Sequence, residues 1–475
     1  MILLTRGILL AAHAFLLTDS FQVNVPQRSR APWSTFSTRR FPTDSEWKGH
    51  RKPSTRLGYS PEDNLSRNDD DSSNSARWIE SLKARASQLD EQEEQRISRW
   101  KNATCSSKVA VVLPDWVRRL DVDYPLAVCG SARGYLYVTH LETGEVLASN
   151  LKPEIEQQSD DSDEAFASPA DLEQTLRLLY GSFDGGGTLA VAFSGSRICS
   201  ADRGGGVQLW GYDPDSKQLV SQGSMESLEG VLVVALQLDD EYLWVGTADG
   251  HVQGYPLDDE LPLALHKSPE YSWKLSAALV AMHVDSELGC AVASTAYGKV
   301  ELISLEDDES GQPLASFTPP FDSMERKSSN AFIQSCAFVA HSETGGKNTG
   351  TQQYSIVCGG NDGSLFQQRL RLDEFGNVDT KRPFLKPLKA YESRHLASVR
   401  SLSSPRPGIV VSGGQDSSVR VWDVDGMTFL YQFVGYKVWL NSIWTDGARI
   451  VSDGADNTIV MHDFDKEDTS DSTIL

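Results

Sequence analysis

Between Cys129 and Asp456 the chain alternates short apolar runs with clusters of small and polar residues, and the alternation recurs seven times. Each unit reads as an apolar run, a small-residue cluster ending in a polar or Gly-rich turn, and a second β-rich run. The turns are CGSARG from Cys129, CSADRGGG from Cys199, VGTADG from Val245, ASTAYG from Ala293, CGGNDG from Cys358, SGGQDS from Ser412 and SDGADN from Ser452. Their starts lie roughly 40 to 70 residues apart, a period typical of units that cannot bury their apolar faces alone.

Short strands at that period, bounded by turn residues, predict an all-β protein: a seven-bladed β-propeller over 108–464. The structural rival is six blades plus an unrelated element. The last repeat supplies three strands, Asn441–Thr445, Arg449–Ser452 and Thr458–Phe464. A fourth is missing there, while Lys108–Leu113 precedes the first repeat with no blade of its own. It is expected to be the outer strand of the seventh blade, closing the ring and removing an edge.

The sixth repeat, HLASVRSLSSPRPGIVVSGGQDSSVRVWD from His395 to Asp423, resembles a WD-repeat. The resemblance implies a buried tetrad of His395, Ser412, Asp416 and Trp422, and extends over about Val109 to Asp463. A buried imidazole, hydroxyl and carboxylate must in any case satisfy one another, which fixes a turn and a strand pairing. The other repeats depart from the pattern. The seventh keeps Ser452 and Asp456 but has Tyr436 in the His place and His462 in the Trp place; the second keeps Trp210; the third keeps Asp249 with Tyr255 in the Trp place. Cys129 and Cys358 stand where Ser412 and Ser452 stand, with Cys199 within one residue, as small residues suited to a buried strand. A redox cluster is the alternative and needs cysteines that face each other across blades.

The first sixty residues read as an address. The apolar run Gly7–Leu17 suits a signal peptide over 1–20, with cleavage before Phe15 or before Phe21. From 21 to 59 the chain is Arg/Ser-rich and has no acidic residue until Asp44, the composition of a transit peptide. A signal peptide followed by Phe21 and such a stretch resembles the bipartite presequence of algae with complex plastids, such as diatoms. That resemblance implies plastid targeting; the secretory pathway and the mitochondrion are the alternatives. An acidic linker, 60–75, precedes a predicted amphipathic helix over 76–101, with Ser75 as N-cap and Trp78, Leu82, Ala86, Leu89, Ile97 and Trp100 at roughly helical spacing. The stripe weakens between Asp90 and Gln95. Such a helix either docks on the propeller or binds a partner. The tail 465–475 is expected to be disordered.

A net charge of −22 opposes binding to a nucleic-acid backbone, and no segment is apolar and long enough for a stable membrane span. The chain lacks HExxH, GxSxG, GxxxxGK[ST] and CxxC, and its nine histidines are scattered. No catalytic residue, metal or cofactor is expected. Acidic runs at Asp239–Glu241 and Asp285–Glu287 are assigned to a-to-b turns, and those at Asp258–Glu260, Glu306–Glu309 and Asp373–Glu374 to c-to-d turns, so one propeller face is negative and offers itself to basic protein segments. The opposite face is expected to carry the insertion 152–187, with a short helix presenting Leu172, Leu176 and Leu179, and to display Arg394, Tyr436, Lys437 and Trp439 as interface anchors. These features point to a non-catalytic protein-interaction scaffold that assists assembly of a larger complex. The alternatives are a propeller enzyme or cofactor binder, and a cytosolic or nuclear ubiquitin-ligase adaptor. The oligomeric state is not legible in the sequence.

Overall fold

The computed structural model describes residues 22–24, 70–150, 187–257, 268–305, 313–319, 332–341, 353–370, 386–387, 394–437, 439–454 and 457–466. Among these are seven antiparallel sheets. Their innermost strands a begin at Val117, Thr188, Val233, Leu279, Ile333, Val399 and Ile443, and each touches the next around a closed circle, the last returning to the first. The fold is a seven-bladed β-propeller.

Strands b are buried almost without interruption, as in Leu126–Ser131, Cys290–Thr295 and Ile409–Gly414. Each lies between two neighbouring blades, so both of its faces need apolar or small residues. The core is accordingly distributed between blades. Val339, Val357 and Leu365 of the fifth blade meet Val410 and Trp422 of the sixth, and Val117 and Leu120 of the first meet Val451, Ile459 and Met461 of the seventh. Side chains also latch blades through backbone groups. Gln237 donates to the Val284 carbonyl at 2.6 Å and accepts from the Val284 N–H at 2.9 Å.

The seventh blade is composite. Ser106–Val112 pairs antiparallel with Thr458–Asp463 as its outer strand, so the chain's early strand closes the ring. On the sixth blade a fifth strand, Gln22–Asn24, pairs with the outer strand Thr428–Val434. These three residues fall in the segment read as transit peptide.

The helix belongs to a separate unit of the chain and runs unbroken over Asp70–Asn102. One expectation is corrected here. The helix starts six residues before 76, so Ser75 lies inside it and cannot be its N-cap. It also passes through Asp90–Gln95 without a break. It ends where Ala103 takes a left-handed backbone, φ 57°. Trp78, Ile79, Leu82 and Leu89 are exposed, whereas Trp100 is buried. Among the described residues no helix is long and apolar enough to cross a membrane.

Candidate functional site

The four tetrad residues of the sixth blade meet. His395 Nδ1 lies 2.8 Å from Asp416 Oδ1 and its Nε2 lies 2.8 Å from Ser412 Oγ, while Trp422 Nε1 donates to the same hydroxyl at 2.8 Å. Asp416 also accepts from the Leu396 N–H, the Ser418 hydroxyl and Arg420. Gly414 is required here, because a Cβ at that position would stand 2.3 Å from His395 Nδ1. Burial pushes His395 down, keeping the imidazole neutral. Burial alone would raise the Asp416 carboxyl, but these hydrogen bonds, led by that from His395, hold it well below the usual carboxylate range.

The seventh blade builds a variant of the same network. Tyr436 OH lies 2.7 Å from His462 Nε2, and Ser107 from the closing strand lies 2.7 Å from His462 Nδ1. Tyr436 is 7% exposed, so it is corrected from an interface anchor to a core residue. Its phenol ring supplies the oxygen that a neutral His462 can pair with, and burial pushes His462 down to about 3. Asp456 lies outside the described residues. In the second blade Trp210 donates to Ser200, the residue beside Cys199. A network at the fifth blade was not foreseen: His341 bonds Asp425 through Nδ1 and Ser355 through Nε2. Its members come from two blades, so no local motif announces it.

All six cysteines are free and buried. Cys336 and Cys358 are cross-strand partners. Burial pushes the Cys199 and Cys336 thiols up to about 12 and Cys358 well above its ordinary value, which keeps them protonated and poorly nucleophilic. Among the described residues no group of His, Cys, Asp or Glu could hold a metal ion.

The two faces differ. Trp116, Leu232, Leu396 and Trp439 each precede a strand a, and Tyr297 sits in a b-to-c turn. All five are exposed, Leu396 at 87% and Tyr297 at 82%, and both positions open on the same face. Lys437 is exposed there as well, and Arg394 is half-buried. Leu172, Leu176 and Leu179, with the insertion, lie outside the described residues. On the opposite face Asp240 and Glu241 are exposed, but Asp239 is not free for a partner. One oxygen accepts from Trp244 Nε1 at 2.7 Å and from Ser286 Oγ of the next blade at 2.5 Å, while the other accepts from the Glu241 and Tyr242 N–H groups and closes the turn. The c-to-d acidic runs Asp258–Glu260, Glu306–Glu309 and Asp373–Glu374 lie outside the described residues, Asp373–Glu374 included.

Along the axis, strands a share an irregularity. In the first six blades the register between strands a and b slips by one residue, between Val117/Arg119, Thr188/Ala190, Val233/Ala235, Leu279/Ala281, Ile333/Ser335 and Val399/Ser401. Each slip leaves one bulged residue, and such a bulge re-aims a side chain. The set is Arg118, Leu189, Val234, Val280, Gln334 and Arg400. Asn441 occupies the matching place in the seventh blade, since Ile443 pairs with Ser452 as Leu402 pairs with Ser412.

Close by, burial pushes Asp453 up to about 7, while the Asn441 and Ser442 N–H groups and Arg119 pull it down; Asp121 rises to about 6 for the same reason. A carboxyl raised on folding contributes stability that is present in full below its unfolded value and lost as pH rises through the folded one. His462, pushed down, has the opposite sign, so the effect is read as a difference between chains. Asp453→Asn is expected to gain stability relative to the parent as pH rises from about 5 to about 8. Urea unfolding of both chains across that window checks this, and a pH-independent difference contradicts it.

No protein-family model matches the chain, and no curated protein matches it. Among solved structures it is similar to the computationally designed Ika8 protein, at 17% identity and a TM-score of 0.41, over 74% of this chain and 99% of that one.

Proposed function

We propose that this protein is a divergent WD-repeat propeller acting as a non-catalytic interaction scaffold inside a plastid, where it assists assembly of a larger protein complex. The observation that carries this reading is the exposure of the Trp116, Leu232, Tyr297, Leu396 and Trp439 side chains on one face. Aromatic and apolar anchors beside cationic Lys437 have the composition of a protein-binding patch. The tetrad spacing from His395 to Trp422 supports the family reading, and the signal-like run followed by Phe21 and an Arg/Ser-rich stretch supports the address. The partner is a protein, which on this face meets apolar and basic groups.

The test is affinity purification of the full chain from isolated plastids, beside a Tyr297→Ala/Leu396→Ser/Trp439→Ala variant. Partner proteins are expected to be retained by the parent and depleted at least tenfold in the variant, an order of magnitude set by the loss of about 1.4 kcal/mol or more at anchor residues. Equal recovery of the same proteins by both chains would remove this face from the argument. Diffuse cytosolic fluorescence from residues 1–60 fused to a reporter would remove the plastid.

A further inference from the structure

The bulged positions and their neighbours enclose a cavity of about 150 Å³ lined by Arg119, Val234, Val280, Gln334, Arg400 and Asn441. These residues come from the entry ends of the inner strands of six blades, so the cavity lies on the ring axis. It opens at the end that carries the exposed aromatic groups.

Its polar walls are donors with unused capacity. Among the described residues the Arg400 side chain makes one hydrogen bond, from Nε to Asn441 Oδ1 at 3.2 Å, which leaves both Nη groups without a protein acceptor. The same bond turns the Asn441 carbonyl toward Arg400 and leaves its amide nitrogen to donate. The Gln334 side chain has no hydrogen-bond partner among the described residues. Arg119 is anchored, donating from Nε to the Leu189 carbonyl at 2.5 Å and from Nη1 to the Arg118 carbonyl at 2.8 Å.

The charges do not balance. Arg119, Arg400 and Arg118 sit close enough to repel one another; burial and then Arg400 push the Arg119 guanidinium down to about 10, and burial lowers Arg400 as well. Asp115 opposes Arg118, but the carboxylate that opposes Arg119 and Arg400 is Asp453, whose oxygens already accept from the N–H groups of Asn441 and Ser442. A partly desolvated pair of cations with one saturated counter-charge is costly unless an anion joins it. This occurs on the axis of a chain whose formal net charge is −22, so general basicity does not explain it.

We propose that the axial cavity binds a small oxyanion of the phosphate or carboxylate class, held by the Nη groups of Arg400 and the side-chain amides of Gln334 and Asn441, with Arg119 supplying charge from its anchored position. Val234 and Val280 form an apolar wall that limits the ligand to one compact group. The site stands whether or not the surrounding face also docks a protein.

Thermal unfolding and calorimetric titration of the full chain with inorganic phosphate test it, with sodium chloride at equal ionic strength as the control. Phosphate is expected to raise the midpoint where chloride does not, and Arg400→Gln to weaken phosphate binding at least tenfold. The unliganded variant is expected to be no less stable than the parent, because a repulsion is removed. Gln334→Leu, which leaves every charge in place, is expected to weaken binding several-fold and covers the case in which Arg400→Gln fails to fold. Phosphate acting no differently from chloride overturns the proposal, as does undiminished binding by the folded variants. A phosphoserine peptide binding more tightly than free phosphate assigns the oxyanion to a partner's side chain; weaker binding assigns it to a free ion.

Discussion

Deletion of Lys108–Leu113 is expected to abolish the cooperative unfolding transition of the propeller, whereas deletion of the residues after Asp465 leaves it unchanged. The closing strand buries Ala110, Val111 and Leu113 and pairs along the whole of Thr458–Asp463. It also delivers Ser107 to His462, and Leu113 N–H to the Asn457 carbonyl at 2.7 Å. Burial of Val111 and Leu113 contributes about 1.5 to 3 kcal/mol each, against a total domain stability of about 5 to 15 kcal/mol. Loss of the strand also bares a full edge at Thr458–Asp463, a template for pairing with other chains. Calorimetry with size-exclusion chromatography measures both consequences. A deletion variant that stays monomeric and melts at the parental midpoint would show that blade seven closes without its outer strand.

Replacing Asp416 by Ala is expected to cost about 3 to 5 kcal/mol, because it leaves Arg420 and His395 without their buried partner. Trp422→Phe, which removes one hydrogen bond to Ser412, is expected to cost about 1 to 3 kcal/mol. The pH dependence separates the two. The Asp416 carboxyl lies below the usual range in the fold, so its contribution is fully present above the ordinary carboxylate value and is lost as pH falls below it. Acid sensitivity from this source therefore persists in Trp422→Phe and disappears in Asp416→Ala. Urea unfolding at about pH 7 and at about pH 2, below the ordinary carboxylate value, distinguishes them, and parallel losses in both variants would falsify the assignment.

The seven turns were legible because each demands small or polar residues at fixed offsets from two apolar runs, as in CGGNDG and SGGQDS. The closing strand was legible by subtraction, since Lys108–Leu113 had no blade and the last repeat lacked a strand. The contacts among His395, Ser412, Asp416 and Trp422 follow from one contiguous repeat, in which 17 residues separate His395 from Ser412. What escaped has no such locality. His341 and Asp425 are 84 residues apart and belong to different blades. The axial set, Arg118 through Asn441, contributes one side chain per blade, and its residues agree in register and not in chemistry. Tyr436 looked like a surface anchor because aromatic and basic neighbours surround it, although its own position in the repeat already placed it inside.

The composite blade also has a consequence in time. Each of the first six blades takes its four inner strands from one uninterrupted stretch, so it can assemble as the chain emerges during synthesis. The seventh cannot, because Ser107 and His462, which meet across its seam, are 355 residues apart. The earliest ring strand must wait, unpaired, for the last to be made. Long-range pairing of this kind is slow and leaves an edge open to wrong partners. Completion of the ring thus waits on the synthesis of its last strand, and the seam between Ser106–Val112 and Thr458–Asp463 is the place where a folding helper has the longest opportunity to act.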